Sequence, residues 1–352
     1  MVDYRAKLVL APMVRIGELP TRLLSLKYGA DLVWTPEIID KRILKCERIV
    51  NSKLNTIDYK QISKKNDLTF RTCDLEYNKV IFQLGTSNAE LAVKAAKLVI
   101  DDVAGIDINS GCPKHFSIHS GMGVALMSTP DLLCDILTRL VIEVGKPNNK
   151  PISVKIRLFE DKLQSLKLIQ RLVKTGISNL TVHCRTKDMR NREDPIRTYI
   201  NEIQTICNDA KVGFIINGGV QNYNDFKQLQ KEYGDDTSCM IASMAELNPS
   251  CFRNEGLLNW PIVVKDYIQL CNQWDNHKAN TKYCLMKMIP NVGGLNVIYN
   301  KIKSAKENDA IKDILLNKMN NDGEYIEEME MEMEIKKRQL DDEITTNKKV
   351  KV

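Results

Sequence analysis

The residues of this chain best suited to chemistry are polar side chains standing at the ends of short apolar runs. Cys112 lies in the stretch NSGCPKHFSIHSGMG, between Gly111 and Pro113, with Lys114, His115 and His119 close behind. A single cysteine is more often a small buried hydrophobe than a reagent. This one sits in a Gly- and Ser-rich loop with no core to enter, and the neighbouring Lys114 and imidazoles could activate the thiol or bind an anion. Cys112, His115 and His119 also have ligand-like spacing, CxxHxxxH. Zinc wants a fourth ligand and usually a second pair, so no metal is expected and a thiol donor or nucleophile is the stronger reading. Gln83 and Asn109 end two other runs with amides that suit the edge of a heterocycle, and Lys155 ends a third with a cation that can face a ring nitrogen or carbonyl. His183 closes a fourth beside Arg185, where contact with a cofactor or substrate is favoured over the role of a core histidine. Asn217-Gly218-Gly219, followed one run later by Ala242-Ser243, offers backbone N–H groups to a phosphate. No Walker motif is present, so ATP is not indicated.

These residues need elements to hold them, and the pattern of the first 250 residues supplies a repeated one. The apolar runs are KLVLAPM (7–13), DLVWT (31–35), KVIFQLG (79–85), GIDIN (105–109), PISVKIRL (151–158), NLTVHCR (179–185), KVGFIING (211–218) and CMIAS (239–243). Near-continuous apolar strands are those covered on both faces. Amphipathic stretches separate them: Ser87 with Glu90 reads as a capping box before LAVKAAKLVI, Thr129-Pro130 opens DLLCDILTRLVIEV, and Asn222 and Gly234 bracket YNDFKQLQKEY. Eight strands alternating with helices over about 250 residues predict a (β/α)8 TIM barrel, an α/β fold. A doubly wound sheet is the weaker alternative, because no GxGxxG turn is present. The strand ends are where a barrel keeps its active site, and the last two strands are where it commonly holds phosphate. Two connections are long: 38–78, with a basic helix candidate from Lys41 to Arg48 and a polar segment that reads as a hairpin, and the loop 110–128.

The net charge of +6 conceals an asymmetry, for residues 321–352 carry ten acids against six bases and leave the first 320 residues at +10. A basic body suits a polyanion, although lysine-rich surfaces also serve solubility. No apolar run approaches the ~20 residues of a membrane span, so no membrane association is expected. The N-terminal residues lack the layout of a signal peptide, and the ten cysteines contain no CxxC pair. Reduced thiols in an intracellular protein are expected, cytoplasmic and with nuclear residence left open by the terminal KKVKV. Three parts follow: a catalytic barrel over 1–255, an all-helical domain over 256–320 and a charged tail, helical or disordered, over 321–352. Nothing demands an oligomer, and a monomer is expected.

Taken in order, LAPMVRIGELPTRLLSLKYGAD, FQLGT, INSGCPKHFSIHSGMGVAL, VKIRL, TVHCRT and INGGV resemble the tRNA-dihydrouridine synthases, most of all the eukaryotic position-20 branch. The resemblance covers about residues 7–255, and the helical stretch to about 320 is similar to that family's RNA-binding domain. It implies FMN at the barrel mouth, NADPH as reductant and tRNA as partner. The flavin would be gripped by Pro12, Met13, Val14, Glu37, Gln83, Lys155, His183, Asn217, Gly218, Gly219, Ala242 and Ser243, with Asn109, Lys114 and Arg185 toward the substrate. Hydride would pass from flavin N5 to uracil C6, and Cys112 would protonate C5. Two departures stand out: Ser243 replaces an arginine usual after strand 8, and HCRT replaces HGRT through Cys184. The alternatives are an FMN barrel oxidoreductase acting on a free pyrimidine and a non-catalytic RNA-binding relative.

Overall fold

The computed structural model describes residues 2–61 and 67–326, and the chain divides into two compact units, Met1–Leu257 and Leu258–Val352. Twelve strands lie in the first: β1 Leu8–Leu10, β2 Leu32–Trp34, β3 Ile38–Ile39, β4 Cys46–Asn51, β5 Thr56–Gln61, β6 Asp67–Thr72, β7 Val80–Gly85, β8 Gly105–Ser110, β9 Ile152–Arg157, β10 Asn179–His183, β11 Gly213–Asn217 and β12 Ser238–Ile241. Eight of them close into a parallel barrel in the order β1, β2, β7, β8, β9, β10, β11, β12, the ring sealed where Leu8 pairs with Cys239. These are the eight apolar runs, and the (β/α)8 barrel is the fold. β3 resumes the β2 edge of β7, setting Ile38 against Leu84. Between β2 and β3 lies Thr35-Pro36-Glu37; proline has no N–H for a ladder, so the strand breaks there.

Strand side chains alternate between two cores with a period of two. Leu8, Leu10, Val33, Phe82, Ile106, Ile108, Val154, Ile156, Leu180, Val182, Ile216 and Ile241 face outward into the layer of helices. Val9, Ala11, Leu32, Trp34, Ile81, Ile215 and Met240 fill the barrel with Tyr4 and Ala104. Trp34 is fully buried, and truncating a side chain of that size in a packed core costs about 3–5 kcal/mol. One step further along the inward-facing row the residues turn polar: Gln83, Asn109, Lys155, His183 and Asn217. The apolar plug thus supports a polar mouth.

Local signals are met unevenly. The helix Ala89–Val99 is capped by Asn88, whose side chain accepts from Leu91 N at 2.9 Å, so the Ser87–Glu90 capping box is corrected by one residue. Thr129 is the N-cap of Pro130–Leu140, and its hydroxyl turns back to the Ala125 and Leu126 carbonyls. Asn222 caps Tyr223–Tyr233 through Asp225 N, and Gly234 ends it with φ +101°. The basic helix candidate Lys41–Arg48 is also corrected. Only Asp40–Ile43 is helical, and Cys46 onward becomes β4, paired with β5 in a three-stranded antiparallel sheet. Cross-strand pairing to Gln61, Tyr59 and Ile57 overrides the local charge pattern. The loop 110–128 contains a short helix, His115–His119, and a 3₁₀ segment, Gly123–Ser128.

The second unit is helical over its described residues: Trp260–Gln273, Lys278–Met288, Val297–Ser304 and Asn308–Leu316, closed by a bridge between Met319 and Tyr325. Val264, Tyr267, Ile268, Cys271, Leu285, Ile302, Ile311 and Leu315 form its interior. Residues 327–352, most of the expected charged tail, lie outside the described residues. No described helix is long and apolar enough to cross a membrane.

Candidate active site at the barrel mouth

Cys112 is positioned by a hydrogen-bond chain that begins deep in the barrel. Ser153 on β9 donates to Asp107 Oδ1 at 2.7 Å, and Gln83 Nε2 on β7 donates to Asp107 Oδ2 at 2.8 Å. Gln83 Oε1 accepts from Asn109 Nδ2 at 3.2 Å. Asn109 Oδ1 then accepts from the N–H groups of Gly111 and Cys112, both at 3.0 Å. Each amide can satisfy both neighbours in one orientation only, so the chain fixes the start of the Cys112 loop. The loop folds back to meet it: Val124 N donates to Cys112 O at 3.0 Å. Gly123 has φ +60°, and a Cβ there would stand 2.5 Å from the Cys112 carbonyl, so glycine is required.

The ionisable groups around this chain are strained by burial. Burial pushes the Asp107 carboxyl up to about 6, against the hydrogen bonds of Gln83 and Ser153. Burial, helped by the Arg157 charge, brings the Lys155 ammonium down to about 8. Lys155 makes no hydrogen bond to any described residue, although Asp107 and Cys112 lie within electrostatic reach. Burial also raises Glu37 to about 7, opposed by a hydrogen bond from Cys112 and by the Lys114 charge, and Glu37 Oε1 is buried with no partner. Pro36 breaks the strand just before Glu37, so this carboxylate stands on the break between β2 and β3 rather than within a strand.

His183 is neutral throughout the physiological range. Burial first, then the charges of Lys155, Arg157 and Arg185, hold it down at about 2. Arg185 Nη1 donates to its Nε2 at 3.2 Å, which leaves the proton on Nδ1. Arg185 is also tied to the loop, since Nε donates to Glu193 O at 2.8 Å and Nη2 to Asn191 O at 3.1 Å. It therefore orients His183 and ties down the loop after β10. Arg157, which the sequence reading passed over, donates to the carbonyls of Gly111 at 2.9 Å and Thr186 at 2.8 Å, clamping the Cys112 loop to that same loop.

Beside His183 opens a cavity of 710 Å³, lined by Arg185, Arg197, Asn217, Gly218, Gly219, Ala242 and Ser243 among others. Asn217 Nδ2 donates to Met240 O at 2.9 Å, joining β11 to β12 at the rim. Gly218 and Gly219 have φ +106° and +72°, and a Cβ on either would lie 3.0 Å or less from His183 or from Pro195 and Arg197. The glycines keep the cavity open to the backbone. A larger cavity, 1080 Å³, lies at the opposite strand ends around Tyr4, Gly213 and Asp236, and contains none of these groups.

The remaining predicted positions fall around the mouth with different access. Pro12 and Met13 are half-buried after β1, Val14 is exposed, and Lys114 is exposed beside Glu37. His115 and His119 face each other, Nε2 to Nε2, at 3.0 Å, and no group of three potential metal ligands occurs among the described residues. Asp107, Arg157 and Arg197 were missed. A carboxylate inside the apolar run GIDIN could have marked the first, and its spacing of two from Lys155 the second; no local signal marks Arg197.

The profile of the Dihydrouridine synthase (Dus) family matches residues 9–342. The chain is 49% identical over 335 residues to the tRNA-dihydrouridine(20) synthase [NAD(P)+] of Saccharomyces cerevisiae, covering 92% of this chain and 86% of that protein. It is 50% identical over 292 residues to the protein of the same name from Schizosaccharomyces pombe, 82% of this chain and 60% of that longer one. A human tRNA-dihydrouridine(20a/20b) synthase [NAD(P)+]-like protein is 30% identical over 69% of this chain and 70% of its own length. With the barrel closed and a matching profile running through both units, the chain belongs to the dihydrouridine synthase family.

Proposed function

We propose that this protein reduces a uridine of tRNA, that at position 20, to 5,6-dihydrouridine, with FMN as its cofactor and NADPH as reductant. The observation that carries the reading is the continuous hydrogen-bond chain that holds the half-exposed Cys112 at the barrel mouth, beside a Lys155 ammonium with no hydrogen-bond partner among the described residues. The names of the yeast relatives point to the substrate.

The residues fit a flavin nucleotide. Glu37 Oε1 and Arg197 Nε are buried polar atoms without partners among the described residues, the half-buried Lys155 makes no hydrogen bond to any described residue, and the Gly218-Gly219 backbone borders a polar cavity. Lys155, Gln83 and Asn109 would hold the polar edge of the ring, with Pro12, Met13, Val14, Glu37 and His183 around it. Asn217, Gly218, Gly219, Ala242 and Ser243 would enclose the phosphate end. The chemistry that the bound flavin supplies is hydride transfer, from NADPH to C6 of the uracil.

Cys112 would donate its proton to C5, and Glu37, raised by burial to about 7 with Cys112 within its electrostatic reach, would be the group nearest at hand to return one. Asn109 and Arg157 keep the loop in place during that transfer. Lys114 and Arg185 line the approach of the substrate, Arg185 by fixing the loop it bonds. The target base has to leave its stack to reach the mouth, which requires grip on the RNA elsewhere. Exposed lysines of the helical unit, Lys278, Lys303, Lys306 and Lys312, suit that task through phosphate contacts.

An absorbance spectrum followed by NADPH addition tests the proposal. A flavin band that bleaches with NADPH and recovers anaerobically only with unmodified tRNA is the expected result. Recovery with free pyrimidines, or no flavin after reconstitution with FMN, would refute it.

A further inference from the structure

The 710 Å³ cavity sets a problem of charge. Ser243, after β12, is neutral and exposed at the position where the family resemblance leads one to expect arginine. Three arginines line the same cavity: Arg192 is exposed, Arg185 is buried and Arg197 is half-buried. Arg185 is largely committed, because Nε, Nη1 and Nη2 each make a bond, to Glu193 O, His183 Nε2 and Asn191 O. Arg197 differs. Its one hydrogen bond within the described residues runs from Nη2 to the Gly218 carbonyl at 2.9 Å, and its Nε is buried without a partner. Gly219 leaves space for this guanidinium, since a Cβ there would stand 3.0 Å from Nη2. A buried N–H left unpaired is costly, and its presence on a cationic, planar fork beside an open glycine backbone marks a waiting anion site.

We propose that Arg197, on the loop after β10, is the cation that receives the flavin's phosphomonoester, taking the part that a strand-8 arginine would play where this chain has Ser243. The inference rests on the flavin reading above and adds the identity of the phosphate's partner. Two acids, Glu193 and Asp194, share this wall, and neither forms an ion pair with Arg197; Glu193 Oε2 instead accepts from Arg190 N. Nε and the free side of the fork can hydrogen-bond two phosphate oxygens while Nη2 keeps its bond to Gly218. The backbone that borders the phosphate and the cation that binds it are thereby one unit.

Fluorescence-quenching titrations of flavin-free protein with FMN and with riboflavin, which lacks the phosphate, separate the possibilities. Arg197→Ala is expected to weaken FMN about 10- to 100-fold, the worth of charge-assisted hydrogen bonds, while riboflavin affinity is unchanged. Adding Ser243→Arg to Arg197→Ala is expected to restore FMN, and Arg197→Lys to restore part of it. Equal loss of both ligands in Arg197→Ala would make Arg197 a prop for the loop, and unchanged FMN affinity would remove it from the site; either result overturns the proposal. If the unaltered protein binds riboflavin but gains nothing from the phosphate, the subsite is refuted while the flavin reading stands. If it binds neither, both fall.

Discussion

The barrel carries buried charges in two regions and treats them in opposite ways. On the flank, Arg22 and Glu76 are completely buried and completely satisfied. Arg22 Nε and Nη2 donate to the two carboxylate oxygens at 2.8 and 2.6 Å, Nη1 and Nη2 reach the Gly17 and Arg71 carbonyls, and Thr72 caps Glu76 at 2.9 Å. Next to them Arg71 clasps Asp58 at 2.6 and 2.7 Å. Burial alone would raise Asp58, yet bonds from Arg71, Asn51 and Thr56 outweigh it and hold the group at about 2. At the mouth, Glu37 at about 7, Asp107 at about 6 and Lys155 at about 8 have all moved toward their neutral forms, and among the described residues Lys155 makes no hydrogen bond while Glu37 Oε1 and Arg197 Nε are buried without partners. A paired charge serves the fold, whereas a buried charge kept short of partners destabilises the fold and serves a ligand.

Mutations in the two regions should separate accordingly. The largest effect is expected at the mouth and on rate alone: Cys112→Ala should lower tRNA turnover about 10²- to 10⁴-fold while NADPH still reduces the flavin, as stopped-flow absorbance would record. Full turnover in that variant would remove the thiol from the chemistry. On the flank, Glu76→Ala strands the Arg22 charge and should destabilise by about 3–5 kcal/mol in urea unfolding. A smaller loss would erase the contrast.

Lys155→Met is expected to act in two directions. Flavin affinity should fall, and the flavin-free protein should gain about 1–3 kcal/mol of stability below pH 8. The sign follows from the depressed value, about 8 against 10.5: the unfolded chain binds the proton more readily, so the penalty is full below pH 8 and fades toward 10.5. The smallest effect is expected for Glu37→Gln. Glu37 is raised from 4.5 to about 7, so its folded form is favoured below pH 4.5 and loses ground as pH rises through 7. Glutamine removes that decline and should add about 1 kcal/mol at pH 8 with no gain at pH 4, measurable as a thermal shift.

The strands were legible because each is covered on both faces and so writes an apolar run, and the site was legible because a polar residue ends each run. Lys155 and His183 announce themselves in this way. Asp107 does not, because a carboxylate inside GIDIN is tolerated only through Ser153 on β9 and Gln83 on β7, 46 and 24 residues away. The Ser87 capping box failed by one residue, since Asn88 is the better acceptor for Leu91 N. The span Lys41–Arg48 failed for a longer-range reason: β4 exists through its pairing with β5.

The sequence by itself determined the barrel, the order of its strands and which side chains reach its mouth, because hydrophobic periodicity and strand termini are local properties. Only the tertiary structure decided which of those side chains are left wanting a partner. Arg185 and Arg197 are both arginines on the loop after β10, and nothing local distinguishes them. One commits all three of its nitrogens to His183 and two carbonyls, and the other keeps a buried Nε unpaired among the described residues, because pairing is settled by neighbours that folding brings together.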